Sequence, residues 1–161
     1  MKLFRTLLAA AIALTGALAG TIAAPALAAS DVTLTSDVKV DRIVTEDGKQ
    51  SHVLAPVAKA LPGELLVFTT RYRNTAAKPV SHFVLTNPIP DAVRLADDGF
   101  GNFDVSVDGG KTFGKLASLT VSDAKGVSRP AQAADVTHLR WVIAAIAPGA
   151  GGVLEYHGIV R

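Results

Sequence analysis

An all-β fold, an antiparallel sandwich of about seven to nine short strands, is predicted by three features of this chain. Apolar residues recur at every second position, turn residues punctuate the sequence at short intervals, and helical periodicity is missing from all but two short stretches. Val32, Leu34, Val38 and Val40 share one parity against Thr33, Thr35, Lys39 and Asp41. Leu66, Phe68, Thr70 and Tyr72 alternate with Arg71 and Arg73, and Phe103, Val105 and Val107 with Asp104, Ser106 and Asp108. Each strand therefore buries one face and wets the other, as antiparallel sheets do.

Between these runs stand Asp47-Gly48, Pro62-Gly63, Lys78-Pro79, Asp98-Gly99, Asp108-Gly109-Gly110, Lys125-Gly126 and Pro148-Gly149. Glycine accepts positive φ and proline pre-sets a turn, so each pair marks a chain reversal. The alanine-rich residues 131–134 and 55–60 favour helix by composition, but both are short and flanked by proline. They read as connections holding one helical turn at most. A turn centred on residues 148–152 predicts a terminal hairpin in which Trp141 faces Tyr156. On that reading Leu139, Trp141 and Ile143 share a face with Leu154 and Tyr156, while His138, Arg140, Glu155 and His157 lie opposite. Trp141 then serves as a core anchor rather than an exposed sugar-stacking platform.

The N-terminus reads as an address. Lys2 and Arg5 precede an apolar run over residues 7–18, and Ala26-Leu27-Ala28 supplies the small-x-small pattern of a signal-peptidase site. The expected organisation is a signal peptide over 1–28, an N-terminal extension or first strand over 29–37, and one sandwich domain over 38–161. Cleavage near Ala28 would deliver the chain to the periplasm or the medium, with no membrane insertion afterwards. Lys2 and Arg5 also carry the whole net charge of +2, so the remainder balances 14 basic against 14 acidic residues. That balance, without any basic run, argues against nucleic acid as a partner. Cysteine is absent, so export must be survived without disulfides.

One ordered set of signatures carries a resemblance. Pro62-Gly63-Glu64, Arg71-Tyr72-Arg73-Asn74-Thr75, Asn87-Pro88-Ile89-Pro90, Leu139-Arg140-Trp141 and Pro148-Gly149 follow one another from about residue 38 to the last. Together they resemble the conserved repeat domain of bacterial cell-surface proteins, a family catalogued as a domain of unknown function. The resemblance implies an immunoglobulin-like sandwich in the bacterial envelope. It supplies no catalytic residues. The sequence holds a single copy and no sorting motif after its last strand, which favours a soluble partner-binding role over a stalk.

Ser106-Val107-Asp108-Gly109-Gly110-Lys111-Thr112-Phe113 fits the Asp-box pattern S-x-D-x-G-x-T-[FW] of propeller hairpins. The aspartate can bond backbone amides of the turn while glycine takes positive φ and the aromatic tucks beneath. It is read as a structural hairpin, since so short a chain cannot build a set of blades. Asp97, Asp98, Asn102 and Asp104 offer oxygen ligands that Ca²⁺ would accept, although their spacing is not that of an EF-hand. Phe100 and Phe103 beside them form the one candidate aromatic cluster for a sugar. His52, His82, His138 and His157 lack metal-ligand spacing, and only His138 and His157 are expected on one face of neighbouring strands.

No cysteine nucleophile, nucleophile elbow, H-E-x-x-H pair or phosphate-cradling loop occurs, so no enzyme and no cofactor is expected. The expected role is an exported, non-catalytic structural or protein-interaction module of the cell envelope, with another envelope or surface protein as partner. Its working surface would be an exposed sheet edge or the loops around 91–102 and 122–135. The alternative is a small carbohydrate- or calcium-binding module acting through residues 97–104.

Overall fold

A computed structural model describes residues 31–97 and 101–161. The expected signal peptide over 1–28, its cleavage site near Ala28, and Asp98 and Phe100 lie outside the described residues. Among the described residues ten strands run in chain order: β1 (Val32–Glu46), β2 (Lys49–Pro56), β3 (Leu65–Asn74), β4 (Val80–Pro88), β5 (Val93–Leu95), β6 (Asp104–Ser106), β7 (Thr120–Ser122), β8 (Ser128–Pro130), β9 (His138–Ile146) and β10 (Gly151–Val160). One sheet has the order β2-β1-β3-β10-β5 and the other β4-β9-β6, with every pairing antiparallel. Eight strands thus build the predicted antiparallel sandwich, and β7 and β8 form a separate two-stranded ribbon. No helix among the described residues is long and apolar enough to cross a membrane.

Period two sorts the side chains as expected. Val40, Leu66, Leu85, Leu95, Val105 and Leu139 point between the sheets and are buried. Leu34 shares the inner face of β1, yet is 47% exposed, because three strands cannot cover the whole inner face of a five-stranded sheet. An aromatic stack crosses the middle of the core. Phe68 lies flat on Tyr156 at 4.5 Å, Tyr156 meets Trp141 at 6.3 Å, and Phe103 meets Trp141 edge-on at 5.3 Å. Trp141 is the buried anchor the sequence suggested.

The terminal hairpin pairing is corrected by the structure. β9 pairs with β4 and β6, whereas β10 pairs with β3 and β5, so Trp141 and Tyr156 meet across the sandwich rather than across a ladder. The cause is the connection itself. Arg73 pairs with Gly151, and that ladder runs on through Asn74 N–H to Ala150 O at 2.8 Å and Gly149 N–H to Asn74 O at 3.0 Å. The turn is thus held on the end of β3, and β10 leaves along β3 in the other sheet. His138 and His157 accordingly sit on different sheets, not on one face of neighbouring strands.

Asn74 also ties the crossings together through its side chain, which is fully buried. Its Nδ2 donates to Lys78 O and to Ile146 O, each at 2.9 Å, and its Oδ1 accepts from Ala76 N–H at 2.9 Å. One carboxamide therefore satisfies the β3–β4 crossing and the buried end of β9.

The Asp-box hairpin forms as the motif requires. Asp108 accepts from Ser106 Oγ at 2.7 Å, from the Lys111 amide at 3.0 Å, and from Thr112 through its amide and, at 2.6 Å, its hydroxyl. Gly109 and Gly110 take φ of 77° and 85°. Phe113 is half-buried beneath the Arg140 guanidinium, 4.3 Å from its ring centre. Of the two alanine-rich stretches, 131–134 contributes one 3-10 turn over Ala133–Asp135, and 55–60 carries the end of β2. β1 runs without a break from Val32, so residues 32–37 lie in the first strand and pair with β3.

Two stability outcomes follow. Asn74→Ala leaves one buried and two half-buried polar partners unmatched, at a cost of about 3 kcal/mol, and should lower the melting temperature by roughly 10 °C. The Thr112 hydroxyl and amide, then Ser106 and Lys111, hold the Asp108 carboxyl far below its ordinary value. Its contribution is thus complete above about pH 4 and fades as pH falls through the lower folded value. Thermal melts should show Asp108→Asn less stable than the parent at neutral pH, with the gap closing in strong acid.

Candidate functional site

Of the four residues proposed as calcium ligands, the structure describes Asp97, Asn102 and Asp104. Asp97 has an 82% exposed side chain 3.7 Å from Arg94, Asn102 is exposed, and Asp98 lies outside the described residues. Asp104 faces Lys115 at 3.2 Å and Arg140 at 3.5 Å, so a metal ion approaching it meets two positive side chains. No group of three or more His, Asp or Glu residues is placed to hold a metal ion among the described residues. Phe103 is 4% exposed and packs edge-on against Trp141, so it is a core residue rather than an exposed stacking platform for a sugar ring.

The loop around 122–135 is largely self-satisfied. Arg129 makes a two-pronged pair with Asp135, both contacts at 2.7 Å. That pairing raises the arginine and lowers the aspartate from their ordinary values. Asp123 accepts from the amides of Lys125 and Val127. Such a loop is built to hold its own shape.

The sheet edges offer more. β5 and β6 are three residues long, and Gly114 covers β6 by exchanging two hydrogen bonds with Val105 at 2.8 and 3.0 Å. β4 is long, but His82 within it has φ of 52°, a left-handed conformation that bends the edge and costs a bulky residue strain. β2 is different. Its eight residues have no positive φ, pair among the described residues with β1 alone, and carry a single formal charge, Lys49.

Half of β2 also extends past the sandwich. β1 pairs with β3 from Val32 to Asp41 and with β2 from Lys39 to Glu46. Beyond Asp41 the two strands have only each other among the described residues, and five further residues of β1 make an arm of about 17 Å. Asp47 and Gly48, with φ of 49° and 74°, close it with the positive-φ pair that a two-residue hairpin needs. Arg42 reaches Glu64 at 3.5 Å and His52 reaches Asp41 at 2.9 Å, bracing the base of the arm on both faces.

The arm and its base expose large apolar side chains among polar ones. Ile43 is 61%, Leu54 50% and Val53 44% exposed, and Val57 and Leu61 follow in the next loop. Large exposed hydrophobic residues gathered in one short segment make this edge the candidate interaction surface. Ile43 and Leu54 lie on the outer face, and Val53 and Val44 on the continuation of the core face. An added strand would therefore meet apolar side chains on both of its faces. The sequence reading named a sheet edge without choosing one. The signal was the pattern Val53-Leu54, two adjacent apolar residues where a half-buried strand needs one.

Val53→Lys and Leu54→Lys remove no core contact, so each should leave the melting temperature within about 2 °C of the parent by circular dichroism. A larger fall would mean that the arm is part of the core. Comparisons with protein-family models, with curated proteins and with solved structures found no match to this chain.

Proposed function

We propose that this chain is an exported, non-catalytic interaction module of the bacterial cell envelope, and that it takes up an extended apolar strand from a partner at the β2 edge. The observation that carries this reading is a long, regular edge with one charge and a cluster of exposed aliphatic side chains. Strand addition uses the unpaired backbone groups for affinity and alternate side chains for specificity. The leader-like N-terminus supports export to the periplasm or the medium. The resemblance to the conserved repeat domain of bacterial cell-surface proteins supports a binding rather than a chemical role. The partner is then another envelope or surface protein with an exposed apolar segment of strand length.

The test is crosslinking in cells of a C-terminally tagged copy carrying its native leader, followed by capture and mass spectrometry. The parent should recover one abundant envelope protein, and the Val53→Lys, Leu54→Lys double variant should lose it. Recovery of the monomer alone, or equal recovery by parent and variant, would sink the proposal.

A further inference from the structure

A second surface, remote from the arm in chain order, has the make-up of a small-molecule site. Beside β6 an apolar cleft of about 370 Å³ lies between Phe103, Val105, Leu116 and Ala131. That size falls at the lower end of pockets that take small ligands. Its floor belongs to the core, since Phe103 and Val105 are 4% and 2% exposed. Its mouth passes Gly101, where a Cβ would stand only 3.1 Å from the Phe103 ring and crowd the opening.

The rim is cationic. Lys115 lines the cleft and has a 65% exposed side chain. Its Nζ donates to Phe103 O at 2.8 Å and lies 3.2 Å from Asp104. An ammonium has three donors, so one is left for a ligand. Asp104 is also shared with Arg140 at 3.5 Å, and Lys115 is the one charged side chain among the described residues that line the cleft. Apolar walls and an incompletely neutralised ammonium at the mouth suit an apolar tail that ends in an anion.

We infer that this cleft binds a small carboxylic acid with an aliphatic or aromatic tail, the tail against Phe103 and Val105 and the carboxylate on Lys115. Trp141 packs on Phe103 from behind and is the only tryptophan, so its emission reports on the cleft. The full chain is titrated with octanoate below its micelle-forming concentration, with octanol and octylamine as matched probes. Trp141 fluorescence and amide chemical shifts are the readouts. Octanoate should give a saturable change centred on Gly101, Leu116 and Ala131. Lys115→Gln should weaken octanoate about fivefold and leave octanol unchanged. Ala131→Phe should abolish both, and Ala117→Phe, at an exposed position of the same wall, serves if the first variant does not fold. The inference is overturned if no saturable change appears, if octylamine binds as tightly as octanoate, or if the shifts map to the β2 arm.

Discussion

Asn74 is the residue on which the sandwich closes. The chain changes sheet four times, at β3–β4, β4–β5, β5–β6 and β9–β10, and the first and last of these passages meet at Asn74. A fully buried carboxamide there bonds Lys78 O, Ile146 O and the Ala76 amide, while its own backbone holds the turn before β10. Buried amides and carbonyls at a sheet crossing have no ladder partner, and leaving them unpaired costs more than the bond itself contributes. Asparagine can donate twice and accept through one short, neutral side chain, which suits it to such a junction. Asp108 solves the same problem at the Asp-box hairpin, with a carboxylate in place of the amide because that turn is open to water.

With the crossings fixed, the unequal sheets follow, and with them the surfaces available for binding. Placing β10 beside β3 enlarges one sheet to five strands and leaves three in the other. The larger sheet puts β1 inside and β2 at the rim, so the hairpin they share extends past the core. Three of the four edges are short, bridged or bent, by β5, by Gly114 on β6 and by His82 on β4. β2 shows no such device among the described residues, and it is at this edge, beside Ile43, Val53 and Leu54, that we propose a partner strand adds. The cleft beside β6 arises differently, from the 3-10 turn and Ala131 failing to fill the side of the aromatic core.

Much of this was legible one residue at a time. Parity placed Val40, Leu66, Phe103, Val105, Leu139, Trp141 and Tyr156 in the core, and the Asp-box pattern placed the bonds of Asp108. What parity does not contain is the identity of a strand's neighbour. Leu139 and Trp141 face inward whether β9 lies beside β10 or opposite it, which is why the expected terminal hairpin and the shared face of His138 and His157 were both misplaced. The surroundings of one proposed oxygen ligand were hidden for a related reason. Asp104 was read as one of an acidic run, but the fold sets Lys115 and Arg140 beside it, both distant in sequence.

The sequence by itself determined the class of fold, the inward face of each strand, the turn chemistry and the aromatic core, because these depend on local dihedral preference and on burial of alternate residues. Only the tertiary structure decided which strands pair, where the sheets end, and therefore which edge and which cleft stay open. Those outcomes depend on hydrogen bonds between residues as far apart as Asn74 and Ile146, and such contacts leave no periodic trace along the chain.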